Sequence, residues 1–206
     1  APDTVVLASF DGGAPQRLWF VMNDPVMGGA SHSSLAVGNS SATFGGRCEI
    51  VPFLAAPGFC KMSSAGGPPL FPDASPFFEG GAMHLLLRSS TPAYAGYKVA
   101  FSAEGMLRQP GQSHGTPEFK ADLVVPSTSF SSVRLPWTSF SAGTSEYSGR
   151  CDTTDPTGIQ HHCCGPDHPE LCPTRSHLAA IQGLSIWAEG VQGDFELELR
   201  SIAAGP

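Results

Sequence analysis

Apolar residues recur at every second position in several short runs of this chain. Met83, Leu85 and Leu87 stand against His84 and Arg88 in GAMHLLLRS; Phe119, Ala121, Leu123 and Val125 alternate in EFKADLVVP; Phe195, Leu197 and Leu199 do so in GDFELELRS. A repeat of two is the mark of a strand with one face buried. Adding TVVLASF, SSLAVG, TFGGRCEIV, GYKVAFSA, SVRLPW and LSIWAEG gives nine such runs, each bounded by Gly, Pro or Ser. Short strands between turn signals predict an all-β, antiparallel β-sandwich. In LSIWAEG the alternation sets Trp187 on the face opposite Leu184, Ile186 and Ala188. Helical spacing survives only in SHLAAIQG, residues 176–183, for one or two turns.

Composition supports this class. The 206 residues suffice for one sizeable core and predict a single domain over 1–206. Gly (24) and Pro (19) are abundant; both weaken helix interiors and serve tight turns. The formal net charge of -7, with eleven basic residues scattered singly, argues against a nucleic-acid partner. No stretch approaches the roughly 20 apolar residues of a membrane span. The start, APDTVVLASF, has no initiator Met, basic region or apolar leader, and reads as a mature chain whose targeting segment has been removed. Two segments read as loops: 63–81, with Phe71, Phe77 and Phe78 pinning it to the body, and a longer insertion, 141–176, ordered by its cysteines.

Six cysteines in an acidic chain predict disulfides and an oxidising compartment. Cys48 and Cys60 read as lying on neighbouring strands of a hairpin, and a bond between them is expected. Cys163 and Cys164 are adjacent, and a vicinal bridge is strained. Cys151 then pairs with Cys163 and Cys164 with Cys172, or Cys151 with Cys164 and Cys163 with Cys172. The rival reading is zinc held among His161, His162, Cys163, Cys164, His168 and Cys172, but the spacing contains no CxxC pair. No cofactor and no metal is expected.

Catalytic motifs are missing: there is no GxSxG, HExxH or phosphate-cradling glycine loop. Asp152, Asp155, Asp167 and Glu170 read as solvated charge on a polar loop. No catalytic residue is assigned, and the chain is expected not to be an enzyme. Asn39, in NSS, is a glycosylation acceptor.

Residues 23–31, NDPVMGGAS, follow the apolar run Leu18 to Met22. Asn23 and Asp24 suit an Asx-type turn, Pro25 fixes its own φ, Met27 can fill a gap beneath, and Gly28 and Gly29 permit positive φ or close contact. Trp19 and Phe44 are natural core partners, and the stretch reads as a polar-stapled corner. The pattern W-x3-NDPVMGG-x-S, from Trp19 to Ser31, resembles the signature of the complex I intermediate-associated protein family. FGGRCEIV, GFCKMSS, YKVAFSA, VRLPWTSF and IQGLSIW with GDFELELRSI resemble further family segments. The resemblance spans nearly the whole chain; the six cysteines and the insertion depart from it.

The resemblance implies a galactose-binding-like jelly roll that helps build or hold a large membrane redox complex. With the cysteines, it implies a non-catalytic extrinsic or assembly subunit on a membrane-embedded electron-transfer complex, a photosystem at its lumenal side, with the thylakoid lumen as compartment. Phe71, Phe77, Phe78 and Tyr147 are the candidate partner contacts. The alternative is a secreted carbohydrate-binding module using Trp137, Trp187 or Tyr94.

Overall fold

The computed structural model describes the chain apart from residues 1–2, 13–16, 25–27, 52–57, 68–69 and 113–114. Pro25 and Met27 of the corner therefore lie outside the described residues. In chain order the strands are β1 (Val5–Ser9), β2 (Trp19–Asn23), β3 (His32–Val37), β4 (Ala42–Cys48), β5 (Phe59–Ser64), β6 (Ala82–Ser89), β7 (Tyr97–Ala103), β8 (Phe119–Asp122), β9 (Ser131–Pro136), β10 (Thr153–Thr154), β11 (Gln160–His161), β12 (Ile181–Glu189) and β13 (Gly193–Gly205). One short helix, α1 (Arg175–Ala179), precedes β12. It is a single turn, within the one or two that SHLAAIQG suggests, and it stops where Ile181 begins a strand.

Two antiparallel sheets face each other. The first runs β3-β4-β13-β6-β9, and β1 also pairs with β13; the second runs β2-β5-β12-β7-β8. β13 takes β4 along its first half, β1 along its second, and β6 from Leu197 to Gly205. The inner faces carry the alternating residues read from the sequence: Leu85, Leu87, Leu197, Leu199 and Ile202 from one sheet, and Met62, Val99, Phe101, Leu184 and Ile186 from the other, all buried. Phe44 packs on Phe195, with ring centroids 5.0 Å apart, and Trp19 on Phe10 at 5.1 Å. The result is the antiparallel β-sandwich that the pattern predicts, in the jelly-roll-like form that the family resemblance implies.

The corner at 23–31 is a polar staple. The Asp24 carboxylate is buried and accepts from the Ser31 amide (2.8 Å), the Ser31 hydroxyl (2.6 Å) and the Phe59 amide (2.9 Å). Ser31 Oγ in turn accepts from the Glu49 amide at 2.9 Å. One carboxylate thus joins the β2–β3 link to the start of β5 and the end of β4. The Asn23 amide lies 2.6 Å from Ser33 Oγ on β3. Gly28 has φ +87°, and a Cβ on Gly29 would fall 2.2 Å from Asp24 Cγ, so the backbone folds onto its own staple where only glycine fits.

The cysteines divide differently from the expectation. Cys151 bonds Cys163 and Cys164 bonds Cys172, the first of the two pairings left open. Cys48 and Cys60 are not bonded; both are free, buried thiols. They end and begin strands of opposite sheets, because the chain between them crosses the sandwich instead of turning back as a hairpin. The Cys60 thiol faces the Arg47 carbonyl at 3.7 Å. Burial pushes both thiols up, Cys60 to about 12, so neither is a ready nucleophile.

Two outcomes follow. Thiol titration in denaturant without reductant should count two thiols per chain, and six after reduction; a count of zero before reduction would place Cys48 and Cys60 in a bond. Asp24→Ala should cost about 2–4 kcal/mol in urea unfolding, since it strands two buried amides and a hydroxyl.

Candidate functional site

The outer face of the second sheet is neither plainly apolar nor plainly solvated. Register places Met22, Lys61, Trp187, Lys98 and Asp122 in one row across β2, β5, β12, β7 and β8. The next outward row is Phe20, Ser63, Ser185, Ala100 and Lys120. Phe59 and Glu189 stand opposite each other beyond Trp187. Each of these residues points away from the core because its strand neighbours Met62, Ile186, Val99 and Ala121 point into it.

Trp187 is the centre of a polar network. Its Nε1 donates to Ser185 Oγ at 2.9 Å, and Ser185 Oγ donates to Glu118 Oε1 at 2.9 Å. Lys61 Nζ reaches the same carboxylate at 2.9 Å and lies 4.4 Å from the indole centroid. Lys120 Nζ donates to Glu189 at 2.6 Å and sits 3.8 Å from the same centroid. Two cation–π contacts and an indole hydrogen bond hold the ring in one orientation. Lys98 is ion-paired with Asp122. Lys98 and Glu189 are each 3% exposed, so these charges are largely out of water and need their partners.

The insertion supplies the cover. Gly149 sits against the pair beneath it: a Cβ there would fall 2.1 Å from Glu189 Oε1 and 2.7 Å from Lys98 Cε. Its φ of +63° suits glycine for a second reason. Gln112 donates to the carbonyls of Ala142 (2.8 Å) and Thr144 (3.3 Å), tying the segment before β8 to the insertion. Between these walls lies a groove of about 650 Å³, with Phe20, Met22, Phe59, Lys61 and Trp187 on its floor and Thr144 to Glu146 along one side. That size suits a small ligand or a few residues of a chain.

Within the insertion, Asp155 is a turn anchor. Its Oδ1 accepts from the Thr157 hydroxyl (2.6 Å), the Thr157 amide (2.9 Å) and the Ile159 amide (3.1 Å), and its Oδ2 lies 3.0 Å from His161 Nε2. The turn joins β10 to β11, two short strands inside a segment whose composition predicts a loop. Asp152 accepts from the Cys163 amide at 2.9 Å. His162 and His168 stack at 4.1 Å, and His168 Nδ1 meets Glu170 Oε1 at 3.2 Å. Asp167 is exposed. With Cys151, Cys163, Cys164 and Cys172 all in disulfides, the zinc reading loses its thiolates. Among the described residues no three His, Cys, Asp or Glu are grouped to hold a metal.

The aromatic candidates separate. Trp187 stands on the outer face, half-buried in the groove, as the alternation placed it. Trp137 is buried in a 3-10 turn and donates Nε1 to the Phe77 carbonyl at 2.9 Å, so it cannot meet a ligand. Tyr94 packs on Tyr97 and Phe195 and donates its hydroxyl to the Val191 carbonyl at 2.8 Å. Phe71, Phe77 and Phe78 pack against the core, Phe71 under the Arg17 guanidinium at 3.5 Å. Tyr147 is half-buried beside Gly149, its amide donating to Ser145 Oγ at 3.0 Å. These four do not converge on the groove, whereas Lys61, Lys98, Lys120, Glu118 and Glu189, none of them singled out by sequence, line or underlie it. Asn39 is exposed between β3 and β4.

Residues 8–155 match the family described as Complex I intermediate-associated protein 30. The chain belongs to this family. The matched part of this family member runs from β1 to the turn after β10, leaving β11 to β13 beyond it. Among solved structures it is similar to an exo-beta-agarase (10% identity, TM-score 0.51, covering 100% of this chain and 25% of that one). It is also similar to an agarase (8% identity, TM-score 0.52, covering 98% of this chain and 24% of that one). The chain thus spans about a quarter of those structures, and at such identity the likeness is one of fold. A family 30 carbohydrate-binding module of a cellulosomal cellulase of Clostridium thermocellum reaches a TM-score of 0.40 at 11% identity, covering 84% of this chain and 88% of that one. No curated protein matches. No helix among the described residues is long and apolar enough to cross a membrane.

The insertion carries a pH signature. Hydrogen bonds from the Thr157 hydroxyl and from His161, then from the Ile159 and Thr157 amides, hold the Asp155 carboxyl near 2, below its usual value of about 4. A depressed carboxyl stabilises the fold above its unfolded pKa, and that stability is lost as pH falls from about 4 through about 2. Melting temperature against pH should therefore show an acid-side slope that Asp155→Asn flattens.

Proposed function

We propose that this chain is a non-catalytic adaptor that docks on a membrane-embedded electron-transfer complex, a photosystem at its lumenal side, as a subunit or an assembly factor. Membership of a family named for association with complex I intermediates carries the reading. The two disulfides of the insertion support an oxidising compartment, since such bonds persist where thiols are not kept reduced. Two carboxylates of the groove lining support a binding role over a catalytic one: Glu118 and Glu189 are each engaged by a lysine ammonium. A sandwich with a committed core binds through its loops and outer faces.

One observation favours a second reading. Trp187 sits on a rigid central strand in a groove, fixed by Ser185, beside carboxylates and ammonium groups that can serve sugar hydroxyls. A secreted carbohydrate-binding module would be built on such a platform.

Size fractionation of gently solubilised native membranes separates the two. The adaptor reading expects this chain to migrate with identified membrane subunits of an electron-transfer complex. Migration as a free monomer overturns it. Glycan-array binding that Trp187→Ala reduces by tenfold or more would then establish the second reading.

A further inference from the structure

β2 is the end strand of its sheet, and no described strand pairs with its other side. The Ala65 amide donates to the Leu18 carbonyl at 2.8 Å, which fixes the phase of the ladder. Phe20 and Met22, opposite Ser63 and Lys61, then turn their backbone groups towards β5, while Trp19 and Val21 turn theirs outward. No described residue pairs with those outward groups.

Several side chains along this edge are exposed. Leu18 is 80% exposed, Phe20 46% and Met22 45%. Natural edge strands are usually guarded by a lysine, a proline or a bulge. Trp19 to Met22 carry no charge and no proline, and their pairing with β5 has no break in register. An undefended edge of this kind is a template for one more strand.

We infer that this edge receives an extended, apolar and basic segment of a partner polypeptide as a sixth strand of the second sheet. The inference rests on the adaptor reading and names its docking surface. Phe20 and Met22 belong both to the edge and to the groove, so a segment paired with β2 lays its side chains over the groove floor. The lining carboxylates Glu118 and Glu189 are held by Lys61 and Lys120, and Glu49 by Arg47, so the charge that favours a basic segment is the chain's net -7. A second copy fits poorly. Five residues span about 17 Å, pairing them two-fold would bury well under the roughly 1,200 Å² of a stable interface, and each copy carries a net charge of -7.

Amide-resolved hydrogen exchange on the full chain tests this, with the solubilised native electron-transfer complex as the probe. In the free chain the Val21 amide should exchange fast and the Phe20 and Met22 amides slowly. On the complex, Val21 should slow by at least about tenfold. A bound chain whose Val21 amide stays fast overturns the inference and leaves the adaptor reading standing; a chain that does not bind the complex at all overturns both. Val21→Pro removes an amide that has no partner in the free fold, whereas Val21→Ala keeps it. The proline variant should bind at least about tenfold more weakly than the alanine variant at equal melting temperature. Equal binding by the two overturns the inference.

Discussion

A charge taken out of water must meet its opposite, and on the outer face of the second sheet that requirement organises the molecule. Lys61 and Glu118, Lys120 and Glu189, and Lys98 and Asp122 are partners drawn from different strands or from the segment leading into β8. A solvated sheet face would not need such matching. This one does because the insertion lies across it, with Gly149 seated on Glu189 and Lys98. Buried ion pairs add little net stability compared with apolar packing, so their value here lies in fixing the register of β5, β12, β7 and β8 and the orientation of Trp187 between them.

The insertion and the sandwich therefore explain each other. Without cover, the paired charges would be ordinary surface residues; without the paired charges, the cover would bury unmatched ions. The disulfides hold the insertion compact where hydrophobic residues are few, with Leu171 its main apolar contribution to the interior. Asp155 does the same work locally, gathering an otherwise irregular turn onto one carboxylate. The groove is what remains between this lid-like wall and the sheet.

Much of this was legible in the residues. Alternation in GAMHLLLRS and GDFELELRS identified strands and their inner faces, and the same rule put Trp187 outside. β2 escaped the pattern because at this edge Phe20, Val21 and Met22 are all exposed, so apolar residues stand on both faces and WFVMN reads as a plain apolar run. The pairing of Lys61, Trp187 and Lys98 in one row was invisible, since register depends on which strands are neighbours and β5, β12 and β7 are distant in sequence. Cys48 and Cys60 misled for the related reason that closeness along the chain suggested a hairpin, while the connection crosses between sheets. Trp137 looked available to a ligand because nothing local marks the 3-10 turn that tucks it beneath Phe77.

The order of strands also governs how the molecule is made. β12 lies at the middle of one sheet and β13 at the middle of the other, yet both belong to the final stretch, Ile181 to Gly205. Until that stretch has left the ribosome, neither layer has its central member, and each is limited to separate strand pairs, β3–β4 and β6–β9 in one and β2–β5 and β7–β8 in the other. Closure of both layers therefore waits on Ile181 to Gly205, and apolar strand faces stay open to water until that stretch is made.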